Sequence, residues 1–322
     1  MIAYDKRGAV FALTEGAELL MHDGDSEAPL WRTTLDAAIV GVGVDGERVI
    51  AVTAAGSIRT FGSRSGDVRG HASIAGPVRR ACVDATADRV CAITEREVVL
   101  VAGGSQRVLG ADSAHAIAMR PDGAIVVATA SDLIAFAPDG GRTTRPLAGK
   151  INTLAHHPEG FWVLGLPTKL QRWDGSGEPT HITNLPPNSN VEHVACSDRV
   201  LAVSWDRHMV AALAWPSKET LGSLQYLERN VEGLAVGPWP WLGVALDLGD
   251  GNKFNLDTAA LHRSDTHPGR DHHSWLVSVG GSGRDEESPR PAPRAPSSPS
   301  TNPLAILLTL AAIAVVIFLV VR

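Results

Sequence analysis

Between Asp247 and Trp275 the chain reads DLGDGNKFNLDTAALHRSDTHPGRDHHSW, and four of its 12 histidines, His262, His267, His272 and His273, fall within twelve residues beside Asp265 and Asp271. Imidazole and carboxylate at this density form a donor set for a divalent transition metal. His262, Asp265 and His267 are the natural first ligands, with His272 and His273 close behind. Asp247, Asp250, Asn252, Asn255 and Asp257 offer oxygens of the kind calcium prefers. No HExxH, no DxDxDG loop and no second cluster completes either spacing. A solvated, hydrogen-bonded loop packed by Trp275 accounts for the same residues, and so does a partner-contact surface that includes Arg270 and Trp275. The expected cofactor is therefore none, with a divalent metal as the open alternative.

Other catalytic patterns are missing. There is no GxSxG, no P-loop and no GxGxxG opening a helix, and GVGVDG at Gly41 reads as a strand and hairpin turn. His156 and His157 stand at a turn, where polarity accounts for them. A net charge of −6 without a Lys/Arg cluster argues against nucleic acid as a partner. Cys82, Cys91 and Cys196 lie in separate apolar stretches with no clustered spacing, as buried free thiols in a reducing compartment would. Tryptophans in strands are core anchors by default, but Trp239 and Trp241 flank Pro240 and are candidates for binding hot spots at a rim. These patterns favour a non-enzymatic protein.

The elements that must position these residues repeat. Short β-rich runs alternate with Gly, Asp and Pro, and no helical period of a dozen residues occurs before residue 300. IAYDKRGAVFALT from Ile2 and IAMRPDGAIVVAT from Ile117 share one template of strand, tight turn and strand. Its turn residues, Gly8, Gly46, Asp88, Gly123, Gly160, Asp198 and Pro238, recur at intervals of 35 to 42 residues. Third strands follow at Ser57, Leu133, Leu170 and Met209, and the first unit already holds four: IAYD, AVFALT, AELLMH and LWRTT.

The third-strand segments resemble those of WD-type repeats, and Arg172, Trp173 and Asp174 carry the signature dipeptide outright, although no unit begins with the Gly-His pair of a standard repeat. The resemblance covers residues 1–281 and implies an all-β, seven-bladed β-propeller whose blades stack radially, each burying its neighbour's apolar face. WLVSVGG at Trp275 would complete either the last blade or one shared with the first. The 247–275 segment reads as an insertion between the second and last strands of the seventh unit. Propellers of this type are rigid platforms that bind proteins on a face. A metal-dependent enzyme or sensor using the insertion is the alternative.

Residues 282–303, SGRDEESPRPAPRAPSSPSTNP, have no large apolar residue and read as a disordered Pro/Ser-rich stalk. Residues 304–321 form an apolar run of about 27 Å as a helix, the length of a bilayer's hydrocarbon core. The expectation is a single-pass tail anchor. No secretory signal opens the chain, and Arg284, Arg290 and Arg294 precede the run against Arg322 after it, so the propeller is expected on the cytoplasmic side. The richness in Ala, Arg, Gly and Asp is that of a GC-rich bacterial coding sequence. Together these readings describe a membrane-tethered propeller binding protein partners at the cytoplasmic membrane surface.

Overall fold

Seven stretches of the chain are apolar without alternation, among them VFALT, RVIAVT, RVCAIT and VLAVSW, as expected of strands covered on both faces. The computed structural model shows what covers them. It describes residues 1–5, 10–23, 28–147, 149–226, 228–247 and 251–256, which belong to the first of the two units into which the chain divides, residues 1–282.

Each repeat is an antiparallel sheet in plain meander order. Blade 1 comprises β1 (Ile2–Tyr4), β2 (Val10–Glu15), β3 (Glu18–Asp23) and β4 (Trp31–Thr34), so the first unit supplies all four of its own strands. Blade 2 comprises β5 (Ile39–Val44), β6 (Arg48–Thr53), β7 (Ser57–Gly62) and β8 (Val68–Ser73). Blade 3 comprises β9 (Val78–Asp84), β10 (Arg89–Thr94), β11 (Val98–Ala102) and β12 (Ser105–Val108). Blade 4 comprises β13 (Ala116–Met119), β14 (Ile125–Ala128), β15 (Asp132–Phe136) and β16 (Arg142–Pro146). Blade 5 comprises β17 (Thr153–His156), β18 (Trp162–Leu166), β19 (Lys169–Trp173) and β20 (Thr180–Asn184). Blade 6 comprises β21 (Val191–Cys196), β22 (Val200–Trp205), β23 (Met209–Ala214) and β24 (Thr220–Gln225). Blade 7 has three strands among the described residues, β25 (Val231–Val236), β26 (Trp241–Leu246) and β27 (Gly251–Asn255).

The first strand of every blade packs against the first strand of the next, and β25 packs against β1, so seven blades close a ring around a central channel. Side chains alternate along each second strand, so every blade shares one core with each neighbour. In β2, Val10 and Ala12 face blade 2, while Phe11 and Leu13 face blade 7. In β10, Val90 and Ala92 face blade 2, while Cys91 and Ile93 face blade 4. Seven interfaces give seven buried clusters, and the one joining blade 7 to blade 1 is the smallest.

The expected third strands stand where the repeats place them. Trp173 ends β19, fully buried, with its indole N–H donating to the Gly177 carbonyl at 3.2 Å, and Arg172 reaches the Asp174 carboxylate at 2.9 Å. One reading of the 247–275 segment is corrected. Its first part is no insertion: Gly251–Asn255 is the third strand of blade 7, with Phe254 opposite Leu242 and buried between blades 6 and 7. Asn252, offered above as a calcium ligand, is buried and donates its amide to the Tyr226 hydroxyl at 2.9 Å. Polar residues flanking a single Phe hid the strand period. The three cysteines are free, Cys91 buried and Cys82 and Cys196 partly so, and burial raises the thiol pKa of all three.

Candidate functional site

The first strands all run the same way along the ring axis, so the ring has two chemically different ends. At one end, the hairpin face, lie the turns from first to second and from third to fourth strands. At the other, the connector face, lie the links between blades and the turns from second to third strands. The channel opens as a cavity at each end.

On the hairpin face, polar side chains at the end of the first strand satisfy the backbone of the tight turn that follows. Asp5 accepts from Val10 N–H, Asp45 from Glu47 and Arg48, Asp84 from Thr86 and Ala87, and Ser197 from Arg199 and Val200. His157 plays the same part, its Nδ1 accepting from Glu159 N–H at 3.2 Å. Turn polarity therefore explains His157 as the sequence suggested, but its ring is fully buried, stacked on Phe161 at 4.3 Å and tilted against Trp215.

The cavity at this end measures ≈ 610 Å³ and is walled by Tyr4, Arg120, His156, Val236 and the turn prolines Pro121, Pro158 and Pro238. Arg120 is fixed by Asp122 at 2.6 Å and by the Gly160 carbonyl at 2.9 Å, with its guanidinium 5.9 Å from the Trp162 ring centre. Six of the chain's eight tryptophans stand at this end: Trp31, Trp162, Trp173, Trp215, Trp239 and Trp241. Trp239 and Trp241, the predicted hot spots, flank the first turn of blade 7 and are half-buried; Trp239 packs on the blade 6/7 core with the Arg199 guanidinium 5.8 Å away. Arg270, Trp275 and the proposed metal ligands His262, Asp265, His267, His272 and His273 lie outside the described residues. Among the described residues, no group of three or more His, Cys, Asp or Glu side chains could hold a metal ion.

The connector-face cavity measures ≈ 580 Å³ and is lined by charge: Arg80, Lys150 and Arg207 with Glu192, Glu232, His115 and His193. Its one signal in the sequence is the Arg79-Arg80 pair near the start of a first strand, where the other repeats carry no basic pair. The remaining charges come from different blades, and only ring closure assembles them.

Burial, followed by the charge of Arg120, lowers the His156 pKa to about 4. Burial, followed by the charge of Arg80, does the same for His193. Both values lie below the ordinary 6.5, so as pH falls the unfolded chain takes up these protons first. The stability contributed by neutral His156 and His193 is complete above about 6.5 and is lost as pH falls towards 4. We expect the urea stability of the protein to drop by on the order of 2 kcal/mol between pH 7 and pH 5, allowing for partial solvent screening. Replacing both histidines by Gln should flatten that slope; a wild-type midpoint that does not move over the interval would refute it.

Comparison with known proteins agrees with the architecture. Residues 1–142, the first three blades and most of the fourth, match a family model described as "Outer membrane protein assembly factor BamB". No curated protein matches the sequence. Among solved structures, the β-propeller domain of Cps50 (Swd1) from Myceliophteria thermophila is similar with a TM-score of 0.65 at 13% identity, covering 76% of this chain and 91% of that one. At this identity the likeness concerns the fold alone. Ring, registers, family model and fold neighbour converge on one conclusion: residues 1–256 build an all-β, seven-bladed propeller.

Proposed function

We propose that the protein is a membrane-tethered propeller platform that binds protein partners at the cytoplasmic membrane surface, with the hairpin face as its docking surface. The observation that carries the reading is the concentration of half-buried aromatic side chains on consecutive blades at that end. Trp215 on blade 6, Trp239 and Trp241 on blade 7, and Tyr4 and Trp31 on blade 1 all stand at this end, with Arg199 beside Trp239 and Arg120 across the mouth from Tyr4. Trp, Tyr and Arg are the residue types that dominate binding energy at protein interfaces: Trp and Tyr cover a large area at small entropic cost, and the planar Arg fork makes several hydrogen bonds at once. A closed ring holds them rigidly, so little ordering remains to be done on binding. The name of the family matched by residues 1–142, an assembly factor, fits a protein-binding role.

The tether rests on sequence. Residues 282–303 and 304–321 lie outside the described residues, and among the described residues no helix is long and apolar enough to cross a membrane. The test combines both halves of the proposal. Full-length chain captured from gentle detergent should bring down a recurrent protein partner, lost with Arg120→Glu or Trp241→Ser and kept with Arg80→Gln on the opposite face. A chain ended at residue 283 should leave the membrane fraction with its β-sheet circular dichroism intact. A partner that ignores both hairpin-face substitutions would exclude this docking surface, and a truncated chain still sedimenting with membranes would exclude the anchor. A reporter at residue 1 that works only outside the cytoplasm would reverse the orientation.

A further inference from the structure

The strand register defines a ring of equivalent positions just inside the connector-face mouth. Opposite the same residue of each second strand, the seven blades carry Ile2, Gly41, Arg80, Ala116, Thr153, His193 and Gly233. Arg80 is the one permanent charge in that ring. Its neighbours on blades 2 and 4 are Gly41, packed against Ala81, and Ala116, buried in the blade 4/5 core, and neither carries charge.

One residue nearer solvent, β-bulges interrupt the first strands of blades 2, 3, 6 and 7 and leave Val40, Arg79, Glu192 and Glu232 unpaired in the ladder. A bulge re-aims a side chain at the cost of a ladder hydrogen bond, and bulges cluster beside sites for that reason. Glu192 already has a cationic neighbour: it accepts from Arg207 N–H at 3.0 Å and feels the Arg207 charge. The cations on blades 3 to 5 have no such partner. Arg79 spends its guanidinium on the carbonyls of Thr94 and Ala114, at 3.2 and 3.1 Å, and among the described residues no carboxylate lies within salt-bridge distance of Arg79, Arg80 or Lys150. His115 is held in the wall, its Nε2 donating to the Ile151 carbonyl at 2.6 Å.

Arg80, Lys150 and Arg207 against Glu192 and Glu232 therefore leave a positive excess in a channel mouth of ≈ 580 Å³ on a chain whose net charge is −6. Such a cavity concentrates counter-ions and strengthens each charge-assisted hydrogen bond formed inside it. We propose that the connector-face mouth is a binding site for a small multivalent anion, a phosphate- or polycarboxylate-bearing metabolite, gripped by the Arg80 fork and the Lys150 ammonium. Volume favours a small molecule over a folded domain, and planar guanidinium with a mobile ammonium is a pairing that phosphate and carboxylate oxygens both satisfy.

Pyrophosphate and citrate, titrated separately into the full-length chain by calorimetry at low ionic strength, test the proposal and separate the two sources of negative charge. At least one should bind with a stoichiometry of about one, more weakly as salt is raised. Arg80→Gln should weaken whichever binds at least tenfold, and Lys150→Gln several-fold. Neither substitution removes a hydrogen bond among the described residues, and Arg120→Gln at the opposite mouth should change nothing. If neither anion binds below millimolar concentration, or if Arg80→Gln and Lys150→Gln both bind like the wild type, the site does not exist. The partner capture described above uses the other end of the ring, so either reading can fail without the other.

Discussion

Removing residues 1–36 should unfold the entire propeller instead of trimming one blade from it. Among the described residues no strand is shared between the first and last blades, and the two meet through side-chain packing. Blade 1 presents Ile2, Phe11, Leu13 and Leu20 to blade 7, and Val10, Leu19 and Met21 to blade 2. Each is nearly or fully buried, and burial of such a side chain is worth about 1.5–3 kcal/mol. The seven together represent roughly 10–20 kcal/mol, against a net stability of about 5–15 kcal/mol for a typical domain. Without blade 1, Ala245 of blade 7 and Ile39, Val49, Ala51 and Phe61 of blade 2 lose their cover. The expected result is loss of the cooperative melt by circular dichroism, with aggregation through the two bared faces. A truncated chain that still melts cooperatively would mean that six blades stand without closing.

The second large effect is expected from Gly41→Val. Strands β5 and β9 meet at the channel wall, and a Cβ at residue 41 would sit 2.6 Å from the Ala81 Cβ and 2.9 Å from the Ala81 carbonyl oxygen. Residue 43 meets Val83 in the same way. The obstacle is backbone held in register, Ala81 opposite Ala92, so it cannot rotate aside as a flexible side chain would. Valine should cost about 3 kcal/mol, at the upper end of measured overpacking penalties, and lower the melting temperature by roughly 6–12 °C. Gly46→Ala, one turn away, serves as the control: its Cβ would find only Asp5 Oδ2 at 3.8 Å, and stability should change by less than about 0.5 kcal/mol. Equal melting temperatures for the two variants would show that the inner wall can open to admit a side chain.

These two results divide what is local in this protein from what is not. Strand and turn are local chemistry. The period of 35 to 42 residues, the double-sided apolar runs, the four strands of the first unit and the Arg172-Trp173-Asp174 turn were all readable in the sequence, because each depends on residues a few positions apart. GVGVDG was readable as a strand and turn for the same reason. The sequence could not say why the two glycines stand there, since the atoms that exclude a side chain at Gly41 belong to residue 81, forty residues on. It also misread Gly251–Asn255, where Asn252 looks like a cation ligand until Tyr226 is brought against it from another blade. Ring closure decided the rest. It set Trp215, Trp239 and Tyr4 at the same end of the ring, and it gathered Arg80, Lys150, Glu192 and Glu232 from four blades into one mouth. A one-dimensional repeat specifies each blade but carries no mark of which end of the ring its charges face, because that depends on the common direction of the first strands and on their bulges. Only the closed circle supplies both.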